Sequence, residues 1–309
     1  MIEVEGLRKN YGDLIAVHDV SFTAQPAMIF GLLGPNGAGK STAIGCISGL
    51  LQPTAGRVRV LGHDVQLERR AAREHLGVVP QELALYEDLS ATENLAFWGA
   101  AYAMRGDRLN QRIHEVLSVT GLLDRAREPV KRFSGGMKRR LNMACGMVHQ
   151  PKVLLLDEPT VGVDPQTRVR LLELVRQEAA QGTCVLYTTH YMEEAESLCD
   201  RLAIIDHGKI IAGGSLAELR AMAGESDVLR LSGRFDPDKV GDTIKALPGA
   251  ELVQAGADSL RLAIRGAQHK LPELFSALAD AGSEIRETTL TQPSLESLFI
   301  KLTGKELRE

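Results

Sequence analysis

The octapeptide Gly34-Pro35-Asn36-Gly37-Ala38-Gly39-Lys40-Ser41 matches the pattern G-x-x-x-x-G-K-[ST] at every fixed place. It follows an apolar stretch at residues 28–33 and precedes a helical run. In that setting glycines let backbone N–H groups wrap around phosphate oxygens, and the N-terminus of the following helix turns its positive end toward them. The chemistry indicated is that of a nucleoside triphosphate. Lys40 is expected to neutralise the β- and γ-phosphates and the Ser41 hydroxyl to ligate Mg²⁺. Gly34, Asn36, Gly37, Gly39 and Thr42 complete the expected nucleotide-binding set.

Val153-Leu154-Leu155-Leu156-Asp157-Glu158 reads as a buried strand ending in two carboxylates. Asp157, at the strand's end, can reach the metal directly or through water. The adjacent Glu158 points elsewhere and can polarise a water against the γ-phosphate. One carboxylate holds charge and the next accepts a proton.

Further motifs stand in order around these two: Tyr11 after the first strand, Val79-Pro80-Gln81-Glu82, Phe133-Ser134-Gly135-Gly136-Met137, Gly162-Val163-Asp164 and Thr188-Thr189-His190. Over about residues 1–220 the sequence resembles the ATP-binding subunits of ATP-binding-cassette (ABC) transporters. The resemblance implies ATP and Mg²⁺ as ligands, with Tyr11 stacking on adenine, Gln81 serving metal and catalysis, and His190 contacting the γ-phosphate. Ser134, Gly135 and Gly136 match the family's signature loop, a helix N-terminus that faces phosphate across a dimer interface, and Asp164, in the loop that follows the paired carboxylates, is implied to join the nucleotide-binding set. Phe133 and Met137 depart from the usual Leu and Gln, so no phosphate role falls to Met137. With Glu158 intact, the site is expected to hydrolyse ATP.

The elements that must position these residues follow from apolar patterning. Short aliphatic runs at residues 27–33, 57–61, 77–80, 153–157, 184–188 and 202–206 read as strands, several too uniformly apolar to have a wet face. The expected fold is α/β: a P-loop cassette with a mixed, largely parallel sheet, helices, and a helical insert at about residues 88–150 that opens on the capping box Ser90–Glu93. A second capping box, Ser215 with Glu218, is expected to start a helix ending near Met222, and Gly224-Glu225-Ser226-Asp227 reads as a linker. The pattern then runs strand 228–231, helix 238–247, strands 251–254 and 259–264, helix 271–281 and strand 284–289, with a last helix at 294–303. That order is a small α+β ferredoxin-like C-terminal domain, so the division expected is residues 1–223 and 224–309.

Composition sets the outer limits. The chain has 309 residues, 44% of them hydrophobic, and a net charge of −4, which offers no general attraction to nucleic acid or anionic lipid. The basic runs Lys138-Arg139-Arg140 and Arg69-Arg70 with Arg73 read as solvated helix faces. No long apolar run or basic-then-apolar leader is visible, so a cytoplasmic protein is expected, peripheral on the membrane through its partner. Cys46, Cys145, Cys184 and Cys199 show no Cys-x-x-Cys pairing and read as reduced thiols. Aromatic residues are scarce at 4%, yet Tyr86, Phe97, Trp98 and Tyr102 lie close together, either packing the insert or lining a groove for a short helix of a membrane partner.

The partners implied by the resemblance are a second ATPase subunit, identical or paralogous, and separately encoded membrane permease subunits. The tail Pro293-Ser294-Leu295-Glu296-Ser297-Leu298-Phe299 resembles that of drug- and antibiotic-exporter subunits, which implies export. The alternative is a soluble cassette ATPase acting on DNA or ribosomes. Its relatives carry two cassettes or a long coiled-coil insert, and neither is visible here.

Overall fold

A computed structural model describes residues 1–223, 226–291 and 294–303. These fall into two compact units divided between Leu216 and Ala217.

The first unit opens with a hairpin of two antiparallel strands, β1 (Ile2–Tyr11) and β2 (Leu14–Ala24). Tyr11, expected after the first strand, is the last residue of β1, and β2 is a strand that the apolar patterning did not predict. After β3 (Ile29–Leu33) come α1 (Lys40–Ile47), β4 (Ala55–Val60), β5 (His63–Asp64), α2 (Arg69–Glu74) and β6 (Leu76–Val79). Strands β1, β2, β4 and β5 form an antiparallel sheet in the order β2-β1-β4-β5.

Three helices then interrupt the strands: α3 (Ala91–Ala101), α4 (Gly106–Val119) and α5 (Gly135–Met147). The expected capping box is present, with Ser90 and Glu93 exchanging hydrogen bonds. Leu95, Val116, Leu117, Leu122 and Leu141 form the core of this helical region.

The chain returns through β7 (Val153–Asp157), α6 (Pro165–Ala180), β8 (Cys184–Thr189), α7 (Met192–Leu198), β9 (Arg201–Asp206) and β10 (Lys209–Gly214). Every residue of β3, β7 and β8 is buried, as a parallel sheet covered on both faces requires. The sheet order is β10-β9-β3-β8-β7-β6, parallel from β9 to β6 with β10 antiparallel at the edge. The loops after β3, β8, β7 and β6 therefore emerge side by side at the carboxyl ends of the strands, where open α/β sheets hold their ligands.

The second unit follows the start of α8 (Leu216–Ala223). It contains β11 (Ser226–Arg234), α9 (Pro237–Lys245), β12 (Ala250–Ala255), β13 (Ser259–Arg265), α10 (Ala267–Asp280), β14 (Glu284–Thr291) and α11 (Leu295–Thr303). The sheet, ordered β12-β13-β11-β14, is antiparallel throughout, as the ferredoxin-like arrangement demands. Leu229, Leu231, Leu260 and Leu262 of the sheet share a core with Val240, Ile244, Leu274 and Leu278 of the helices.

Two expectations need correction here. Ser226 and Asp227 belong to β11 rather than to a linker, while Gly224, Glu225 and Pro293 lie outside the described residues. Helix α10 starts at Ala267, four residues before the expected Leu271, and carries Pro272, a natural first-turn residue, in its interior.

Candidate functional site

The loop from Gly34 to Lys40 joins β3 to α1 and depends on its glycines for close approach. Gly39 has φ 104°, and a Cβ there would meet the Ala16 carbonyl oxygen at 2.4 Å. Helix α1 starts with no side-chain cap, so its first N–H groups remain to be satisfied by a ligand. This is the arrangement phosphate needs. Lys40, 4% exposed, turns its ammonium back into the site, donating to Gly34 O (2.7 Å) and Pro35 O (3.0 Å) and pairing with Glu158 Oε1 (2.9 Å).

Glu158 is also 4% exposed and is the meeting point of three loops. Its Oε2 lies 3.1 Å from His190 Nδ1, after β8, and accepts from Gln81 Nε2 at 3.4 Å, after β6. Its backbone takes φ 46°, a left-handed conformation that costs a non-glycine residue on the order of 1–3 kcal/mol. Thr188 holds that turn. Its Oγ1 accepts from Glu158 N–H (3.0 Å) and donates to Asp157 Oδ1 (2.7 Å). The Asp157 carboxylate is thus held by Thr188, and the Glu158 carboxylate by Lys40, Gln81 and His190.

Sequence reasoning did not pick out Thr188, although a buried hydroxyl ending an apolar strand beside His190 was the available signal. Ser41 is exposed and Thr42 half-buried at the start of α1. Among the described residues no group of three or more His, Cys, Asp or Glu side chains could hold a metal ion by itself. Oxygen donors of the kind offered by Ser41, Gln81 and Asp157 suit Mg²⁺ completed by phosphate oxygens and water.

A second group lies on α5 and α6. Ser134 caps α5, accepting from Met137 N–H at 3.3 Å. A Cβ on Gly136 would meet Thr167 Oγ1 at 2.7 Å and Asp164 Oδ2 at 3.3 Å, so this glycine lets the two helix starts pack closely, while Gly135 faces open space. Asp164 caps α6 through Thr167 N–H (2.9 Å) and Thr167 Oγ1–H (2.7 Å), bonds that hold its carboxyl below the usual range. Its carboxylate is therefore engaged within its own helix. Tyr11 is 47% exposed at the hairpin turn, with Lys9 Nζ 5.0 Å from its ring centroid and the ring open to a stacking partner.

The basic runs are not merely solvated faces. Lys138 pairs with Glu87 at 2.5 Å, Arg139 donates to the Gln81 carbonyl, and Arg140 donates to Thr120 O (2.7 Å) and Gly121 O (3.0 Å) beyond α4. Arg73 likewise donates to the carbonyls of Ser48 and Gly49 after α1. Unfilled carbonyls near helix ends attract cations, and no sequence window shows which end lies within reach. All four cysteines are buried free thiols, and burial pushes Cys46 up to about 11.

Beside α3, a groove of ≈ 410 Å³ is lined by Leu50, Val78, Trp98, Tyr102, Cys145 and His149, among others. Tyr86 and Phe97, both nearly half exposed, make an edge contact at 4.7 Å. Trp98 Nε1 is buried without a hydrogen-bond partner among the described residues. The Tyr102 ring stacks on His149 at 3.5 Å, and both side chains donate to the Leu76 carbonyl, Tyr102 at 3.0 Å and His149 at 3.3 Å.

Burial, aided by the charges of His75 and Arg112 and opposed by the Leu76 hydrogen bond, holds His149 down at about 4 against 6.5 for a free imidazole. The unfolded chain therefore takes up this proton first as pH falls, and stability present above pH 6.5 is lost progressively toward pH 4. In thermal unfolding from pH 7 to 5, His149→Phe, which keeps the stacked ring, should gain on the wild type as pH drops. A pH-independent difference would refute the assignment.

The fold and this site define a nucleotide-binding cassette ATPase. A family model described as ABC transporter matches residues 17–161, and one described as ATP-binding protein DrrA1-3-like, C-terminal domain, matches residues 214–303. The linearmycin resistance ATP-binding protein LnrL of Bacillus subtilis (strain 168) is 41% identical over 312 residues, covering 100% of both chains. The daunorubicin resistance ATP-binding protein DrrA3 of Streptomyces coeruleorubidus is 38% identical over 99% of this chain and 97% of its own. Among solved structures, an ATP-binding subunit of an ABC transporter superposes with a TM-score of 0.67 at 31% identity, covering 72% of this chain and 92% of the other.

The chain belongs to the ATP-binding subunits of ABC transporters, ATPases that couple hydrolysis to transport. Subunits of this family work as dimers with separate membrane permease subunits. No helix among the described residues is long and apolar enough to cross a membrane.

Proposed function

We propose that this chain is the cytoplasmic ATP-hydrolysing subunit of an exporter, held at the membrane by separately encoded permease subunits. The observation that carries the site assignment is the convergence of Lys40, Gln81 and His190 on the buried carboxylate of Glu158. In this reading Glu158 accepts a proton from the attacking water, while Gln81 and His190 orient the water and the γ-phosphate. Lys40 binds the phosphates, and its exchange of Glu158 for phosphate oxygens leaves the carboxylate free to act as base. Mg²⁺, held by Ser41, Asp157 and Gln81, would neutralise charge on the phosphate oxygens.

The second group supports a site shared between two subunits. Ser134 and the Gly135 and Gly136 N–H groups form the start of α5, and with Asp164 they make no hydrogen bond to the phosphate loop of their own chain among the described residues. They would serve the nucleotide of a partner, either a second copy or a paralogue, with Tyr11 stacking on adenine. Residues 1–223 would form the ATPase cassette and residues 224–309 an accessory domain.

Export rests on relatives whose names specify linearmycin resistance, daunorubicin resistance and Nod factor export. These also weigh against a soluble ATPase working on DNA or ribosomes. The test is affinity purification of the Glu158→Gln chain with ATP from detergent-solubilised membranes of its source cells. A polytopic membrane protein is expected to accompany it, whereas ribosomes or DNA-bound proteins would overturn the proposal. The groove at Trp98 is the place for a short helix of that permease. Trp98→Ala should leave basal ATPase activity of the isolated subunit within about twofold and cut transport tenfold or more, as loss of an interface hot spot does. Unchanged transport would exclude the groove.

A further inference from the structure

We infer that Glu194 is a positioning residue for the γ-phosphate end of the site, locking the segment that carries His190 to the segment that carries Asp164. The inference rests on the roles proposed above for Glu158 and His190.

Glu194 lies on α7 and is 3% exposed. A carboxylate taken that far from water is costly unless it is fully compensated. Here the compensation comes from elements far apart in sequence. Oε2 accepts from Thr160 Oγ1 (2.9 Å), after β7, and from Tyr187 Oη (2.8 Å) and Thr189 Oγ1 (3.0 Å) of β8. Oε1 lies 3.3 Å from Arg168 Nε of α6, an ion pair in which neither atom makes a hydrogen bond among the described residues, so this oxygen is compensated by charge alone. Burial and the neighbouring carboxylate push the Tyr187 phenol well up, so it stays a donor.

These bonds bracket the reacting end of the site. Thr189 donates to Glu194 and accepts from Tyr191 N–H (2.9 Å), so both neighbours of His190 are tied together. The Arg168 guanidinium sits 4.7 Å above the Tyr191 ring, whose centroid is 4.1 Å from that of His190. On the other side, Arg168 N–H donates to Asp164 O (2.9 Å), one helical turn away. A displacement of the Gly162-Val163-Asp164 loop thus has a contiguous route through Arg168 and Glu194 to the His190–Glu158 pair. An apolar residue of similar volume would fill the same space and could match or exceed the stability. What it could not do is hold three hydroxyls and a guanidinium in one orientation.

The experiment compares steady-state ATP turnover and thermal unfolding for the full chain and for Glu194→Leu, Glu194→Gln, His190→Ala and the Glu194→Leu/His190→Ala double variant. Glu194→Leu should lower kcat about tenfold while KM for ATP moves less than about twofold, as expected when a group acts only on the reacting geometry. Glu194→Gln, which still accepts hydroxyls, should recover most of the loss. In the His190→Ala background Glu194→Leu should add little, because both changes act through one element.

Losses that multiply in the double variant, or that track unfolding temperature, would reduce Glu194 to a structural residue and overturn the inference. Normal turnover of Glu194→Leu beside impaired His190→Ala would overturn it as well, leaving the catalytic reading intact. Normal turnover of His190→Ala would instead sink the role given to His190. If Glu194→Leu does not fold, Tyr187→Phe removes one donor at constant shape and should lower kcat about threefold with KM unchanged. An unchanged kcat there would count against the inference.

Discussion

Glu158→Gln lowers ATP turnover by about 10²–10⁴-fold, the range general-base catalysis supplies, while an ATP-bound dimer accumulates. The physical basis is local. The amide keeps the shape of the side chain and its contacts with His190 Nδ1 and Gln81 Nε2 remain within reach, but it cannot take a proton from water. The glycine loop and Lys40 are retained, although Lys40 loses its charged partner at 2.9 Å, so ATP is still expected to bind and closed dimers to accumulate. Single-turnover kinetics with size-exclusion chromatography in ATP checks both halves. Turnover within tenfold of wild type would remove Glu158 as the base.

Lys40→Ala acts on affinity and on stability together. Hydrogen bonds to charged groups contribute about 1.5–3 kcal/mol each, so the loss of its phosphate contacts weakens ATP binding by about a hundredfold or more. The same change removes the cation that lies 2.9 Å from a carboxylate only 4% exposed. Breaking one side of such a buried pair costs about 3–5 kcal/mol, which should appear as a lower urea midpoint measured without nucleotide. The double variant Lys40→Ala/Glu158→Gln, with no charge stranded, should regain much of that stability but none of the affinity. If the single variant unfolds at the wild-type midpoint, the pair contributes no stability and Glu158 is relieved in some other way.

Much of the site was legible because its chemistry is written in contiguous residues. Eight consecutive positions carry the phosphate loop, and the unbroken apolar run before Asp157 and Glu158 marks a strand buried on both faces. The capping box at Ser90 and Glu93 and the β-α-β-β-α-β order of the C-terminal unit are equally local, since turn chemistry and periodicity are read within one element at a time. Where local signals were weaker, boundaries moved. The hairpin β1–β2 mixes polar and apolar residues over most of its length, its apolar run limited to residues 14–17, and Pro272 in α10 imitated a helix start.

What no window of sequence contains is the neighbourhood of the strands. The order β3-β8-β7-β6 brings together loops from residues 34, 190, 158 and 81, which are out of sequence order, and only the pairing of the strands sets it. That pairing makes Glu158 the shared partner of Lys40, Gln81 and His190, lets Thr188 hold the Asp157 carboxylate and the Glu158 N–H together, and brings three hydroxyls to Glu194 Oε2. It also brings Arg139 to the Gln81 carbonyl, where an isolated helix would show only a charged face. The sequence by itself determined which chemical groups the protein has and which local elements carry them. The tertiary structure decided which groups meet, because buried charges and hydroxyls must find partners across the sheet, and those partners lie far away along the chain.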